Sequence, residues 1–378
     1  MSGDVAVVGG GVIGLAVAWR CAQRGMRVTV YHHGSGASRV AAGMLAPVSE
    51  AYFGESELTA LLVASAALWP GFAEELAEYG DVGYRADGTL VVALTADDRA
   101  EAARLWSFQE SLGLPVTPLT AMELRGKEPA LHPRVRGGAL VADHQADPRR
   151  LLTVLRTAAE AAGVRLAARR VESLSELDAE TVVVAAGCGS AALTGLPVRP
   201  VKGQLLRLRA DAVGGAGFRH VIRGWADGRR VYVVPRADGE VVVGASEEER
   251  TDAIPTAGAV LELLRAATDL VPELTEYELA EVCVGHRPGT PDNAPMLGRL
   301  DPRTVVATGH YRHGVLLTPV TADTITELLA TGRAPELIAP FTPTRFAHRD
   351  RVHAGYGPTR QADQPAAQRV HDRHEEAK

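Results

Sequence analysis

The sequence predicts an α/β domain with a parallel sheet, joined to an inserted α+β domain that is built on a mainly antiparallel sheet. Three observations support this fold class. A strand, a glycine-rich turn and a helix follow one another in DVAVVGGGVIGLAVAWR at residues 4–20. Short apolar runs typical of buried parallel strands recur at 181–186 and 304–309. Alternating segments around Asp-Gly turns, typical of antiparallel hairpins, occur at 85–94 and 231–244.

The glycine-rich turn matches the GxGxxG pattern of dinucleotide-binding βαβ units. Gly9 permits a sharp turn, Gly11 lets a phosphate approach the backbone, and Gly14 lets the helix lie close against the strand. A pyrophosphate can then bind the unpaired N–H groups at the helix start, at Val12 and Ile13. The pattern therefore predicts a Rossmann-like dinucleotide-binding domain, although its position does not distinguish NAD from FAD.

The residue that follows the second strand, at 27–31, departs from the usual pattern of this domain. An acidic residue normally ends this strand and accepts hydrogen bonds from the adenosine ribose. His32 holds that place here. A neutral imidazole accepts one such bond where a carboxylate accepts two, so contact through His32 predicts a weaker adenosine anchor. The alternative is that His32 faces solvent, and the sequence leaves both open.

Length and composition limit the class of protein. A chain of 378 residues is too long for one small core, so we expect two intertwined domains. Apolar residues make up 46% and charged residues 23% of the chain, as in ordinary soluble globular proteins. The net charge of −6 provides no basic face for nucleic acid, so we exclude a nucleic-acid partner.

Cysteines and apolar runs indicate the cellular compartment. Cys21, Cys188 and Cys283 form an odd, widely spaced set without a CxxC pair, which predicts no disulfide framework and no metal site. We expect all three to be buried as small hydrophobic residues. No apolar run approaches membrane-spanning length, and Asp4 precedes the first strand where a signal peptide would carry basic residues. These features predict a cytoplasmic protein without a membrane partner.

The remaining elements are predicted from periodicity and from their boundary residues. Pro70 is expected to end or kink the helix at 57–69, and Asp147 with Pro148 forms a good helix start. Further helices are predicted at 97–112, 149–162, 256–271 and from about 316 or 318 to 329. Further strands are predicted at 138–142, 164–170, 204–209, 231–235, 240–244 and 277–286.

The change from parallel to antiparallel strands predicts discontinuous domains. We assign 1–84, 141–202 and 284–346 to the nucleotide domain, and 85–140 with 203–283 to the antiparallel substrate-binding domain. The stretch 347–378 is polar and lacks apolar periodicity, so we predict a disordered tail.

Several sequence blocks resemble those of a known enzyme family. They are GHRPGTPDNAPMLGRL at 285–300, ATGHYRHGVLLTPVTADTI at 307–325, AAGMLAP at 41–47 and GGGVIG at 9–14. Together they resemble the D-amino-acid oxidase family of flavoenzymes and, within it, the glycine oxidases of thiamine biosynthesis. The resemblance covers nearly all of 5–346. It implies FAD bound in an extended form and a substrate-binding sheet that covers the flavin ring.

The resemblance also implies three catalytic residues. The carboxylate-binding arginine of the family falls on Arg287, and a guanidinium is the side chain that binds a planar carboxylate bidentately. Tyr232 matches the active-site tyrosine that helps to hold the carboxylate, although it could also be one more inward-facing aromatic residue of a strand. Arg312 matches a position near the substrate amine and the flavin.

The expected FAD site combines the glycine-rich turn with the matched blocks. Small residues at 41–43 leave room for a flat ring, and a strand that ends at Ala186 and Gly187 lets the backbone pass under the cofactor. The expected residues are Gly9, Gly11, Val12, Ile13, Gly14, His32, Arg39, Ala41, Ala42, Gly43, Met44, Val171, Ala186, Gly187, His310, Arg312, His313, Gly314 and Leu316.

Two positions depart from the family's pattern. Glu247 falls where glycine oxidases have a pocket methionine, so either the pocket is more polar or this loop faces water. The cysteine that binds flavin covalently in related sarcosine oxidases would fall near Gly285, and Cys283 is out of register with it. Non-covalent FAD is therefore expected.

The resemblance implies oxidative deamination of glycine and other small amines or D-amino acids. The products would be the imine or glyoxylate, ammonia and hydrogen peroxide, with molecular oxygen as acceptor and thiazole synthase as a candidate partner in thiamine biosynthesis. A homo-oligomer is expected. The alternatives are a sarcosine or D-amino-acid oxidase or dehydrogenase of the same fold, and a non-catalytic FAD-binding protein.

Overall fold

Two large β-sheets organise the chain in the computed structural model, which describes residues 3–34, 36–210 and 216–346. The strands are β1 Asp4–Val8, β2 Arg27–Tyr31, β3 Met44–Leu45, β4 Thr89–Ala93, β5 Val116–Leu119, β6 Gly137–Val141, β7 His144–Gln145, β8 Arg165–Ala167, β9 Thr181–Val184, β10 Arg199–Arg209, β11 Val221–Ala226, β12 Arg229–Pro235, β13 Glu240–Gly244, β14 Glu278–Gly289, β15 Met296–Arg299 and β16 Thr304–Thr308. The helices are α1 Val12–Gln23, α2 Ser56–Leu76, α3 Ala96–Ser111, α4 Ala121–Lys127, α5 Pro148–Ala161, α6 Ser190–Thr194, α7 Ala257–Leu270 and α8 Thr318–Thr331.

The first sheet has the predicted parallel architecture. Its strand order is β15-β16-β9-β1-β2-β8, and every pair is parallel except β15 with β16. The central strand β1 and the strands β9 and β16 are almost fully buried, as their valine-rich runs predict. β8 is shorter than the predicted strand at 164–170 and partly exposed, because it forms the edge of the sheet.

The turn between β1 and α1 has the geometry that the glycine pattern predicts. Gly9 has φ +126°, and a Cβ there would lie 2.2 Å from the carbonyl oxygen of Ala185. A Cβ on Gly14 would lie 1.9 Å from the carbonyl oxygen of Gly9. A side chain at either position would therefore separate α1 from the sheet.

The second sheet is mainly antiparallel, as predicted. Its order is β14-β10-β13-β12-β11-β4-β6-β5, and only β4 with β11 is parallel. The hairpin around Asp238-Gly239 is confirmed as β12 with β13. β10 pairs with β13 and β14, and β11 is a strand that the sequence analysis did not predict.

The predicted hairpin at 85–94 is wrong. Only its second half forms a strand, β4, which pairs with β6 and β11. Arg85 instead makes a bridge to Gln145, and the carboxylate of Asp87 binds the guanidinium groups of Arg85 and Arg219. Tertiary ion pairs and the neighbouring strands therefore override the local turn preference of Asp87-Gly88.

Pro70 does not end the predicted helix, since α2 continues through it as one helix of 21 residues. Proline removes one hydrogen bond, but Trp69 and Phe72 on either side of it pack into the core. Leu68, one residue before Trp69, is exposed. Contrary to the prediction, α2 is long and apolar enough to span a bilayer by length and composition alone, yet its apolar face packs within the protein core.

The other predicted elements agree with the structure to within a few residues. Asp147 accepts hydrogen bonds from the N–H groups of Arg149 and Arg150, and Pro148 is the first residue of α5. Cys21 and Cys283 are buried free thiols, as expected. Cys188 is only partly buried, so the expectation that all three cysteines are buried is wrong for this residue.

Strands of the two sheets alternate along the chain, because β4–β6 and β10–β14 interrupt the strands of the first sheet. The proposed division at 84, 140, 202 and 283 stays a prediction, and the last two of these boundaries fall inside β10 and β14. The predicted disordered tail at 347–378 lies outside the described residues.

Candidate active site

A cavity of about 1160 Å³ begins at the turn after β1 and continues to the face of the antiparallel sheet. Gly9, Gly11, Val12 and Ile13 line one end of it. Arg287, Tyr232 and Arg312 line the other end. The remaining predicted residues on its wall are Ala41, Ala42, Gly43, Met44, Val171, Ala186, Gly187, His310, His313, Gly314 and Leu316.

The helix start at the first end is open to an anion. Gly11 is the N-cap of α1, and no side chain caps this helix end. The N–H of Val12 donates a hydrogen bond to the Ser38 hydroxyl oxygen at 3.3 Å. The helix has no acidic residue in its first turn, so its positive end is available to a pyrophosphate.

Three predicted cofactor residues do not line the cavity: Gly14, His32 and Arg39. Gly14 lies inside the contact between α1 and the sheet, and Arg39 is exposed. The N–H of His32 donates to the carbonyl oxygen of Ala167, and burial together with the charge of Arg156 lowers the pKa of this imidazole. The neighbouring His33 does line the cavity.

The small residues at 41–43 are held in place by a buried arginine. The guanidinium of Arg236 donates to the carbonyl oxygens of Ala42 and Ala146 and to the side chain of Gln145. Burial lowers the pKa of Arg236 to about 10, partly offset by nearby carboxylates, so the group stays charged at neutral pH. This part of the cavity wall is therefore rigid and carries no side chain larger than a methyl group at 41–43.

The wall at 309–317 is tied to α2 and α8. The carbonyl oxygen of Leu316 accepts hydrogen bonds from the Ser65 hydroxyl at 2.7 Å and from the Trp69 indole at 2.8 Å. Nε2 of His310 lies 3.1 Å from the Thr321 hydroxyl oxygen. Burial lowers the pKa of His310 to about 3, helped by His313, so this imidazole is neutral.

The other end of the cavity is built on neighbouring strands of the antiparallel sheet. Tyr232 on β12 lies directly opposite Gly244 on β13, and a Cβ on Gly244 would meet the tyrosine ring. Arg287 on β14 extends over Gly203 on β10, where a Cβ would lie 2.6 Å from Nη1 of the arginine. The two glycines therefore leave the space in which the tyrosine and arginine side chains lie flat on the sheet.

The arginines at this end differ in their partners. Arg223 pairs with Glu50 at 2.6 Å, and Arg312 pairs with Glu247. Arg287 donates to the backbone oxygen of Ser246 at 3.1 Å and has no carboxylate within 4.0 Å among the described residues. The guanidinium of Arg287 is therefore not engaged by a carboxylate among the described residues and can bind an incoming one.

The hydroxyl of Tyr232 remains protonated beside this guanidinium. Burial raises its pKa, and the positive charges of Arg287 and Arg223 offset that effect only in part. A protonated phenol donates a hydrogen bond to a carboxylate. Arg287 and Tyr232 together can therefore hold a carboxylate on the sheet face.

Two acidic groups beside the cavity have opposite pKa shifts. Burial would raise the pKa of Glu50, but the charges of Arg223, His313 and Arg312 outweigh it and lower the pKa to about 2. Burial raises the pKa of Asp143 to about 6, although it accepts hydrogen bonds from the backbone of Val48 and from Ser49. Glu50 is therefore ionised throughout the neutral range.

The sequence analysis missed Arg223 and Glu50. Arg223 lies on the unpredicted strand β11, which is followed by Asp227 and Gly228, both with positive φ. That Asp-Gly pair is a hairpin signal and could have identified β11. Glu50 lies three residues after the AAGMLAP block, but nothing local indicates that an arginine of a distant strand pairs with it.

Comparison with known proteins supports this description of the cavity. The family model described as FAD dependent oxidoreductase (DAO) matches residues 4–328. A glycine oxidase of Geobacillus kaustophilus is 35% identical over 90% of this chain and 97% of that protein. The crystal structure of glycine oxidase from the same species superposes with a TM-score of 0.83 at 33% identity, covering 91% of this chain and 99% of that one.

A second relative differs in length. The bifunctional protein ThiO/ThiG of Trichormus variabilis is 33% identical over 92% of this chain but only 55% of that protein. The cavity fits an FAD, because it joins an uncapped helix start to a wall without bulky side chains at 41–43. By sequence, by structure and by the form of this cavity, the chain belongs to the FAD-dependent oxidoreductase family.

Proposed function

We propose that the chain oxidises small amino acids, glycine foremost, and yields glyoxylate, ammonia and hydrogen peroxide. The observation that carries the proposal is that Arg287 has no carboxylate partner within 4.0 Å among the described residues and lines the same cavity end as the protonated Tyr232. Arg223 and Arg312, by contrast, are already paired with Glu50 and Glu247. The free position therefore suits a substrate with one carboxylate.

Arg287 and Tyr232 act by orientation. The guanidinium binds both oxygens of the substrate carboxylate, and the phenol donates a further hydrogen bond. These contacts fix the direction of the Cα–H bond relative to the rest of the cavity. FAD held in this cavity would supply the two-electron acceptor for oxidation of the C–N bond, with molecular oxygen as the final acceptor. Water then hydrolyses the imine, so that glycine, oxygen and water yield glyoxylate, ammonia and hydrogen peroxide.

Glu50 and Glu247 do not take the proton of the substrate amine. Glu50 has a pKa of about 2, and the pKa of Glu247 is also lowered: burial raises it, but the hydrogen bond from Tyr311 and the charges of Arg312 and Arg287 outweigh that effect. Neither group is basic at neutral pH. The substrate therefore reacts as the neutral amine that is present in solution, and kcat/KM rises with pH in the alkaline range.

The cofactor is held without a covalent bond in this proposal. Gly9, Gly11 and the first N–H groups of α1 bind the pyrophosphate, and the small residues at 41–43 lie against the ring. Cys283 is buried and does not line the cavity. The partly buried Cys188 does line it, and burial raises the pKa of that thiol to about 11, which leaves it unreactive.

The same proposal covers the cellular setting. Because the relative from Trichormus variabilis is named as a bifunctional ThiO/ThiG protein, we assign the product to thiazole formation in thiamine biosynthesis, with thiazole synthase as the partner. The enzyme acts in the cytoplasm as a homo-oligomer. Size-exclusion chromatography with light scattering tests the oligomeric state.

A substrate panel with peroxide detection tests the function. Purified holoprotein is given glycine, sarcosine and D-alanine at matched concentrations in air-saturated buffer. The proposal predicts the highest kcat/KM with glycine and one peroxide per glyoxylate formed. A clear preference for sarcosine or D-alanine would replace the substrate assignment, and turnover only with an artificial electron acceptor would indicate a dehydrogenase. A yellow protein that oxidises none of them would be an FAD-binding protein without this activity.

A further inference from the structure

The pair formed by Glu247 and Arg312 lies on the cavity wall at the substrate end. Glu247 follows β13 of the antiparallel sheet, and Arg312 follows β16 of the first sheet. The pair therefore links a loop of one sheet to a loop of the other. Oε2 of the carboxylate binds Nη2 of the guanidinium. Arg287 and Tyr232 can hold a single carboxylate without any contact from this pair.

A buried tyrosine fixes the carboxylate of this pair. Tyr311 is 9% exposed, and its hydroxyl donates to Oε1 of Glu247 at 2.6 Å. The N–H of Tyr311 donates to the carbonyl oxygen of Pro288, which directly follows Arg287. Both carboxylate oxygens of Glu247 are therefore bound, Oε1 by Tyr311 and Oε2 by Arg312, and Tyr311 is itself anchored to the strand end that carries Arg287.

The pair contributes little to folding stability. The side chains of Arg312 and Glu247 are 39% and 47% exposed, and ion pairs with this exposure add little to the free energy of unfolding. The main consequence of the pair concerns ligands, because Glu247 binds the guanidinium of Arg312 and keeps it from binding an anion in the cavity. The charge of Glu50 also helps to raise the pKa of Arg312, but the Glu50 carboxylate is itself bound by Arg223.

We propose that Glu247 determines specificity by occupying Arg312, so that the site accepts amines with one carboxylate and rejects those with two. This inference rests on the function proposed above and limits its substrates to amines with one carboxylate. A second carboxylate near Glu247 would find the guanidinium of Arg312 already bound by that residue. Without that negative charge, Arg312 becomes a second anion-binding group beside Arg287.

The matched probes are iminodiacetate, which carries two carboxylates on one secondary amine, and its monoamide, which has nearly the same shape and only one. The ratio of kcat/KM for iminodiacetate to that for the monoamide isolates the charge effect from size. Glu247→Gln keeps the length of the side chain and removes its charge. Glu249→Gln is the control, because Glu249 pairs with Arg199 and does not line the cavity.

Glu247→Gln is expected to raise this ratio by at least about tenfold, equivalent to about 1.4 kcal/mol. Glu249→Gln is expected to leave the ratio within about twofold of the wild type, a difference of about 0.4 kcal/mol. Adding Arg312→Gln to Glu247→Gln should remove the gain. An unchanged ratio in Glu247→Gln would overturn the inference, as would a gain that persists without Arg312.

Two further measurements keep the test independent of folding and of the proposed function. Tyr311→Phe removes one of the two contacts that hold the carboxylate of Glu247 and should raise the ratio by a smaller factor. If the ratio rises in neither variant, the inference is contradicted. If glycine is not oxidised, the proposed function fails, but dissociation constants of the same two probes can still be measured from the flavin absorbance of the holoprotein. Glu247→Gln should then tighten iminodiacetate alone, and equal tightening of both probes would contradict the inference.

Discussion

The two ends of the cavity are built in different ways. The end at the turn after β1 is formed by backbone groups and small residues that are close together in the sequence, such as Gly9, Gly11 and the start of α1. The end on the antiparallel sheet is formed by polar side chains that lie far apart in the sequence, such as Tyr232 and Arg287. In the proposed function, the first end binds the cofactor by shape and backbone dipoles, and the second end selects the substrate by charge.

This difference teaches where each property can be changed. Substitutions at the first end should alter FAD affinity and leave substrate preference alone, because the backbone groups and small residues there carry no charge for the substrate to meet. Substitutions at the second end should alter KM and specificity with FAD still bound. The variants below test this separation, from the largest expected effect to the smallest.

The largest effect is expected from Arg287→Ala. Loss of two charge-assisted hydrogen bonds at about 1.5 kcal/mol each should raise the KM for glycine roughly 100-fold. FAD content, measured from absorbance, should stay at the wild-type level. Arg209→Ala is the control, because Arg209 is exposed at the far end of β10 and should not change KM. An unchanged KM in Arg287→Ala would remove this arginine from the site.

At the opposite end, Gly11→Ala should weaken FAD binding by roughly tenfold, about 1.4 kcal/mol, because a methyl group would stand where the phosphate approaches. A Cβ at Gly11 meets only the Ser38 hydroxyl oxygen, at 3.1 Å, so the fold should tolerate it. Gly71→Ala is the control, since Gly71 lies in α2 with no atom within 4 Å of the added methyl. Equal FAD affinity in both variants, measured by titrating the apoprotein, would contradict this role of Gly11.

Glu50 and Asp143 should affect stability with opposite pH dependence. The folded-state pKa of Glu50 is lowered to about 2, so its stabilising contribution is complete above pH 4.5 and is lost as the pH falls. The pKa of Asp143 is raised to about 6, so its contribution is complete below pH 3.8 and is lost as the pH rises through 6. Each changes by at most about 1.4 kcal/mol per pH unit.

Urea unfolding of the holoprotein at several pH values measures this difference. The destabilisation caused by Glu50→Gln should shrink from pH 6 to pH 3.5, and that caused by Asp143→Asn should shrink from pH 4 to pH 7. The same sign of change in both variants would contradict the two causes assigned here, which are neighbouring positive charge at Glu50 and burial at Asp143.

The smallest effect is expected at the adenosine end. His32 does not line the cavity, so His32→Glu should change FAD affinity by less than about threefold, or about 0.7 kcal/mol. His33→Ala removes a side chain that does line it and should weaken FAD by a comparable or larger factor. A clear tightening of FAD in His32→Glu would instead support contact of residue 32 with the ribose.

Much of the first end could be predicted from sequence, because its information is local. The positive φ of Gly9 and the close contact at Gly14 follow from the spacing of the glycines within one βαβ unit. Asp147 and Pro148 likewise predicted the start of α5 correctly. In each case one short stretch contains both the signal and the structure that it predicts.

The second end could not be predicted in the same way. Arg287 and Tyr232 came from resemblance, and the pairing of Glu50 with Arg223 requires two sheets to be packed first. Tertiary contacts also overrode local signals: Asp87-Gly88 formed no hairpin because its neighbours pair elsewhere. Pro70 failed to break α2 because the core holds both halves of that helix.

The most direct measurement is the absorbance of the purified holoprotein during anaerobic addition of glycine. The account predicts a yellow protein with oxidised flavin that is bleached by glycine, with the colour restored by air and peroxide formed in equal amount. A protein that contains no flavin would contradict it. So would flavin that glycine, sarcosine and D-alanine all leave oxidised.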